Sequence, residues 1–257
     1  MNRNPGRLFF LSAMLLFPWP ASPADLSAKD ILYKSLHLDG NRSVRSEITI
    51  QVVENEKEVR TREMSYRRKV LSGLDRVRIE FLAPPDVKGM ALLILDRPNG
   101  GTDQHLYTPA LRRVRRIRGS LKSQEFADTD FSYEDMERRK LDDADHDLER
   151  EETINDRLCY KIISTTKKGV RSQYGKTVAW IDKETFLLHL MDLYARDGRK
   201  IKTLQSEKAE QIQGIWTQIR MEMKNTTSNR KTLYEASRVE YDVPLDENLF
   251  QTSALGQ

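Results

Sequence analysis

Residues 215–223 read Ile-Trp-Thr-Gln-Ile-Arg-Met-Glu-Met, so that Ile215, Thr217, Ile219, Met221 and Met223 alternate with Trp216, Gln218, Arg220 and Glu222. A period of two sends successive side chains to opposite faces of a strand, which gives this stretch one apolar and one polar face. The rhythm recurs upstream, where Ile48, Ile50 and Val52 oppose Glu47, Thr49 and Gln51, and Val77, Ile79 and Phe81 oppose Arg76, Arg78 and Glu80. It recurs downstream, where Val239, Tyr241 and Val243 oppose Arg238, Glu240 and Asp242. Further strands are expected at 57–69, 89–96, 104–108, 111–118, 157–166, 176–182, 186–195 and 199–210. Turn signals separate many of them: Ser72-Gly73, Pro84-Pro85, Asn99-Gly100-Gly101 and Gln213-Gly214. Asp197-Gly198, between the run ending at Ala195 and the run opening at Lys200, is the clearest hairpin.

About eleven sequential strands without a strand–helix–strand rhythm point to one large antiparallel sheet. The expected class is α+β, mostly β: a single curved antiparallel sheet forming an unclosed β-barrel covered by a few helices. A sheet with one apolar face leaves a surface that helices must cover or a ligand must occupy. One cover is expected at the start of the chain, where Leu26, Ile31, Leu32, Ser35 and Leu38 fall on one helical face behind Ser27 as N-cap. Another is expected as a helical excursion over 132–139 and part of 141–152. No Pro-, Gly- or Ser-rich linker divides the chain, so residues 25–257 are expected to form one domain.

The N-terminus carries an export pattern: Arg3 and Arg7, then the apolar run Leu8 to Phe17, then Pro18, Pro20 and the small residues Ala21, Ser22 and Ala24. These features mark residues 1–24 as a cleavable signal peptide, too short in its apolar part for the roughly 20 residues a spanning helix needs. The single cysteine, Cys159, lies far from that cleavage point and excludes an internal disulfide. It sits beside Leu158, Tyr160 and Ile162 and is expected to be a buried small hydrophobe. The mature chain is therefore expected outside the cytoplasm, unanchored.

Charge is nearly balanced, with 43 Lys and Arg against 39 Asp and Glu, and carries no global nucleic-acid signature. Locally it is uneven. Arg112, Arg113, Arg115, Arg116 and Arg118 precede a stretch, 125–152, that holds thirteen acids and four bases. Solvated faces or a docking surface for a charged partner both fit that pattern. Catalytic constellations fail: there is no G-x-S-x-G, H-E-x-x-H, phosphate-binding glycine loop or C-x-x-C. His37, His105, His146 and His189 are scattered, and the aspartates of 143–147 lack the glycine and glutamate of a calcium loop. No catalytic residue, metal or cofactor is expected.

Three segments in order carry a resemblance: Phe81-Leu-Ala-Pro-Pro-Asp-Val-Lys-Gly-Met-Ala-Leu-Leu, Tyr107-Thr-Pro-Ala-Leu-Arg-Arg-Val-Arg-Arg-Ile and Asp130-Phe-Ser-Tyr-Glu-Asp-Met136. Trp180-Ile-Asp-Lys-Glu-Thr, Asp197-Gly-Arg-Lys-Ile-Lys202, Lys231-Thr232 and Tyr241-Asp-Val-Pro-Leu-Asp-Glu-Asn-Leu-Phe250 continue it. Together they resemble the LolA-like superfamily, in the branch described as periplasmic outer membrane lipoprotein-sorting proteins. One departure is that Ala127-Asp128-Thr129 stand before Asp130-Phe131, where the family usually has Gly-Ser or Gly-Thr.

The resemblance implies an incompletely closed β-barrel with a helix-covered apolar cavity, and a periplasmic carrier of lipid or lipoprotein acyl chains moving toward the outer membrane of a Gram-negative bacterium. It implies an inner-membrane transporter and an outer-membrane acceptor as partners, a monomer, no nucleic acid and no enzymatic activity. An alternative is an accessory protein of an exporter of the resistance-nodulation-division type, without a dedicated lipid cargo. The residues expected to face the cavity are Ile50, Val52, Ile79, Phe81, Leu92, Ile94, Ile219 and Met221. Tyr107, Arg113, Arg116, Asp130, Phe131 and Tyr133 mark the motif and partner-docking region.

Overall fold

The structure is a computed structural model that describes residues 26–257, so the expected signal peptide and its cleavage point lie outside the described residues. Ser27 caps helix α1 (Ala28–Leu36) as expected, its side chain accepting from the Asp30 amide while Asp30 accepts from the Ser27 amide. The chain then zigzags through β1 (Val44–Glu54), β2 (Lys57–Leu71), β3 (Leu74–Ala83), β4 (Ala91–Asp96), β5 (Thr102–Thr108) and β6 (Arg113–Ile117). A second run follows: β7 (Ala144–Ile154), β8 (Arg157–Thr166), β9 (Tyr174–Asp182), β10 (Leu188–Ala195), β11 (Lys200–Ile212), β12 (Ile215–Asn225) and β13 (Arg230–Tyr241).

All thirteen strands form one antiparallel sheet in the order β6-β5-β4-β3-β2-β1-β13-β12-β11-β10-β9-β8-β7. The first run therefore grows outward from β1 to one edge, and the second grows inward from the other edge until β13 pairs with β1. β6 and β7 do not pair, so the single antiparallel sheet stays open as expected, and it is an open sheet and not a barrel. The count also exceeds the expected eleven. Asp197-Gly198 does make the expected hairpin, with Leu193 opposite Lys202 and the Ala195 amide donating to the Arg199 carbonyl.

This order forces residues 118–143 to travel from one edge of the sheet to the other. They cross on the face that α1 also covers, and their chain is not the expected helix. Residues 134–136 and 141–143 form single 3-10 turns, and the backbone at Glu137 and Lys140 is extended. The helix expected in part of 141–152 is replaced by β7, an edge strand whose residues are mostly exposed on both faces. With no buried face, β7 has no alternation to reveal it.

The covered face holds two apolar clusters. One gathers Ile48, Ile50, Met64, Ile79, Phe81, Leu92, Ile94 and Leu106 beneath Phe126 and Tyr133 of the crossing segment. The other places Ile162, Ala179, Ile181, Met191, Leu193 and Met223 beneath Ala28, Ile31 and Leu32 of α1 and Phe131 of the crossing segment. Met136 packs against both and sits at the seam. On the opposite face Leu245, Phe250 and Leu255 of the C-terminal segment cover Ala91 and Leu93. β4 is thus buried on both sides, which explains its unbroken apolar run Ala91-Leu-Leu-Ile94.

The departure from the family pattern at 127–129 falls where it costs most. Ala127 and Asp128 both adopt left-handed backbone angles, φ +51° and +56°. Alanine has no side-chain group to offset the crowding of its Cβ there. Ala127→Gly is expected to raise stability by roughly 0.5–1 kcal/mol, read as a higher urea midpoint.

Candidate functional site

A cavity of about 440 Å³ lies on the covered face between α1, the crossing segment and β8–β10. Its apolar wall comes from Leu32 and Leu36 of α1, Ile181 of β9, Leu188 and Met191 of β10, and Leu141 of the crossing segment. Trp216 and Tyr241 reach it from the far side, Ser35, Ser164 and Thr177 add hydroxyls, and Asp39, Lys122, Glu134, Glu137, Arg138 and Lys140 bring charged groups to its roof and rim. Each wall has a local cause. The helical period puts Leu32 and Leu36 four residues apart on one face, and the strand period aims Ala179 and Ile181 to the same side of β9.

The roof over this cavity is held by many polar side chains as well as by the apolar contacts of Phe131, Met136 and Leu141. Asp135, its side chain 5% exposed, pairs with Lys202 of β11 at 2.9 Å. It also accepts from the Tyr174 hydroxyl at 2.8 Å and from the Ser132 amide at 2.8 Å. Glu134 accepts from the Gln173 amide at 3.0 Å. Glu137 pairs with Lys122 at 2.6 Å and accepts from Gln104 Nε2 at 2.6 Å. Arg138 reaches Asp75 at 3.3 Å and Asp39 at 3.5 Å, and Arg68 joins the same two carboxylates from below. Lys140 pairs with Asp96 at 2.6 Å. Glu134 and Asp135 hold to the β7–β13 half, and Glu137, Arg138 and Lys140 to the β1–β6 half or to Asp39 just before it, so the strap is tied down on both sides.

Two of these anchors respond to pH in opposite senses. Burial disfavours the Asp135 charge, yet Lys202 and the Ser132 amide together hold its carboxyl below the usual 3.8. Its contribution is present above that value and is lost as the pH falls through the lowered folded value. Glu137 goes the other way: burial outweighs Lys122 and Gln104 and raises it above 4.5. The fold favours its protonated form, so this site loses stability as the pH rises from 4.5 through the raised value. Glu137→Gln is expected to flatten that decline in urea midpoints measured upward from pH 4.5. An unchanged slope assigns the decline to other groups.

The residues expected to line a cavity separate into groups. Ile50, Ile79, Phe81, Leu92 and Ile94 come together in the cluster sealed by Phe126 and Tyr133. Val52 and Ile219 are buried, and Met221 is partly buried opposite Tyr234. None of the eight borders the 440 Å³ cavity. The motif residues also divide. Asp130 is a buried residue of the strap itself, paired with Arg230 at 2.9 Å and accepting from Thr232 Oγ1 at 2.7 Å, while its own amide donates to that oxygen. Phe131 and Tyr133 pack into the two clusters on either side.

Tyr107 instead lies on the opposite face beside the C-terminal segment, and Arg113 and Arg116 are exposed on edge strand β6, Arg116 paired with Asp103. Cys159 is fully buried, and burial with the nearby Asp182 charge pushes its thiol up to about 11. The sequence reading missed the anchors Lys202, Tyr174, Gln104 and Asp39. The only hint was the charge-dense run 134–140, which names one side of each pair and not the other.

Among the described residues no helix is long and apolar enough to cross a membrane. A family model described only as that of an uncharacterized protein matches residues 73–257. No curated protein matches the chain. Among solved structures, a DUF1329 family protein from Desulfovibrio piger is 30% identical, aligned over 89% of this chain and 97% of its own, with TM-score 0.84. A domain assigned to outer membrane lipoprotein sorting in Vibrio parahaemolyticus is 26% identical over 90% of this chain and 98% of its own, with TM-score 0.82. A LolA superfamily protein from Nitrosomonas europaea is 20% identical over 90% of this chain and 100% of its own, with TM-score 0.73. The open sheet, its strapped apolar face and this likeness along nearly the whole length agree: the chain belongs to the DUF1329 family and has the fold of the LolA superfamily.

Proposed function

We propose that this protein is a periplasmic carrier that binds an acyl chain of a lipid or lipoprotein on the covered face of its sheet and delivers it toward the outer membrane. The observation that carries the reading is the cavity itself, about 440 Å³, with a leucine, isoleucine and methionine wall on the sheet and α1 side and charged side chains at the roof. That volume falls within the roughly 300–1,000 Å³ of small-molecule sites. An acyl chain gains about 0.8 kcal/mol per CH₂ on leaving water, so a carrier must offer a dry surface and be able to open it.

The strap supplies the opening. Its anchors are ion pairs and hydrogen bonds, and its apolar hold comes chiefly from Phe126, Phe131, Tyr133 and Met136, with Leu121, Ala127 and Leu141 packed beside them. Lifting it joins the present cavity to the surface formed by Ile50, Ile79, Phe81, Leu92 and Ile94, which become a second wall for a longer chain. The export pattern at residues 1–24 supports a periplasmic site of action. A carrier of this kind performs no chemistry on its cargo and needs no metal or cofactor.

Native mass spectrometry of protein purified from its own envelope, followed by lipid extraction, tests the reading. The expected result is a retained acyl-bearing ligand that a fluorescent fatty acid displaces. If no such ligand is retained and the probe fails to bind, the carrier reading falls.

A further inference from the structure

In an antiparallel zigzag the turns fall alternately at the two ends of the strands. The β1–β2 turn, the β3–β4 loop at 84–90 and the β5–β6 turn at 109–112 therefore share one end of the sheet. The last two touch: a Cβ built on Gly89 would lie 3.4 Å from Pro109 Cγ. This end is unusual in its apolar exposure. Of the seven large hydrophobic side chains exposed among the described residues, Val59, Leu82, Leu111 and Val114 lie here. Leu111 is the extreme case at 72% exposed, carried on a single 3-10 turn that a left-handed Arg112 closes.

Around Leu111 the charges are basic, whereas Glu58 flanks Val59 and Glu63 stands opposite Ala83, next to Leu82. Lys88, Arg112 and Arg113 are all exposed, and among the described residues none has a carboxylate within 4.0 Å. Asp86, the acid in the same loop, is engaged by Arg62 at 3.4 Å. Glu54 and Glu56 stand apart at the β1–β2 turn, beyond β2. A solvated basic face explains the arginines alone but not a leucine projecting among them. Basic side chains on long aliphatic stems beside exposed leucine and valine are the pattern of an interfacial membrane contact, with stems lying along the acyl boundary and charges among head groups.

We propose that this end of the sheet docks on an anionic lipid bilayer, with Leu111 entering the interfacial region and Lys88, Arg112 and Arg113 engaging the head groups. A bilayer accepts Leu111 without a complementary pocket, whereas a protein partner must be shaped to receive it. The contact stands whether or not the cavity holds an acyl chain, because none of its residues borders that cavity.

The test is flotation of the full chain with phosphatidylcholine vesicles, with and without phosphatidylglycerol. Every variant keeps the same N-terminal segment, so any membrane affinity of residues 8–17 is common to all. Binding is expected to require phosphatidylglycerol and to weaken with salt. Arg112→Glu with Arg113→Glu is expected to weaken it at least about 30-fold, from roughly 1 kcal/mol per basic residue near an anionic surface. Leu111→Ser is expected to weaken it by roughly tenfold or more, from the burial of one leucine. Arg42→Glu with Arg97→Glu, at the opposite end of the sheet, should leave it unchanged. These positions are exposed, so unaltered thermal unfolding certifies the fold. Equal binding to neutral vesicles, equal loss on reversing charge at the two ends, or no effect of Leu111→Ser overturns the proposal. So does failure to bind vesicles by a chain that holds an acidic polypeptide through the same residues.

Discussion

Asp135→Ala is expected to cost about 3–5 kcal/mol, because it leaves Lys202 charged and buried with no partner. The Lys202 side chain is only 11% exposed, and the Tyr174 hydroxyl and the Ser132 amide lose their acceptor in the same step. A second change separates the pair from its surroundings. Asp135→Ala combined with Lys202→Met removes both charges and is expected to recover much of the loss, so that the double variant loses far less than the sum of the two single losses in a double-mutant cycle. Strict additivity of the two single changes would show that the pair does not latch the strap. Limited proteolysis gives an independent readout: cleavage within 118–143 should quicken in the single variant before the sheet itself becomes sensitive.

The second large effect concerns the apolar hold. Phe126 is fully buried, its ring 5.5 Å from that of Phe81 and 5.6 Å from that of Tyr133. Phe126→Ala is expected to cost about 3–5 kcal/mol through lost transfer energy and a residual void. It has a functional counterpart that an ordinary core position would lack. The void opens onto Phe81, Ile79 and Leu92, so affinity for a fluorescent fatty acid should be kept or raised even as stability falls. Phe126→Leu, closer in volume, is expected to lose less stability and to leave probe binding near the starting value. If Phe126→Ala abolishes probe binding while the remaining protein is still folded, the sealed cluster is not a second wall for the cargo.

How far the sequence foretold this molecule differs from element to element. Strands with one face on the core, such as β1, β3 and β12, declare themselves by alternation, and the unbroken run of β4 reflects cover on both sides. β7 escaped because an edge strand exposed on both sides carries no burial signal. Glu134-Asp-Met-Glu-Arg-Arg-Lys140 has the composition of a helix, and its extended path is imposed by partners far away in sequence. Arg138 meets Asp39, 99 residues earlier, and Lys202 meets Asp135 from 67 residues later. No local propensity reports such pairs.

The cavity was half legible for a related reason. Alternation identifies Ile50, Ile79 and Phe81 as facing the covered side, but it does not say which part of that side Phe126 and Tyr133 fill. The vacant part lies under α1, beside Leu188 and Met191, where the strap is held by charge and leaves room.

The junction between β1 and β13, where Val44 stands opposite Tyr241, sets the order in which the molecule can be made. Every other neighbouring pair of strands is consecutive in the chain and can form as a local hairpin. This one joins the first and last strands of the chain at the middle of the sheet, and closing so long a loop is slow compared with hairpin formation. The β1–β6 half can therefore assemble while the rest of the chain is still emerging, but the β7–β13 half must await its own last strand before it can be joined. Until then β1 and β13 both offer bare edges to other chains. Truncation before β13 would leave two half-sheets, each with its strap anchors missing on one side, and a folding chain most exposed to misassembly in its final step.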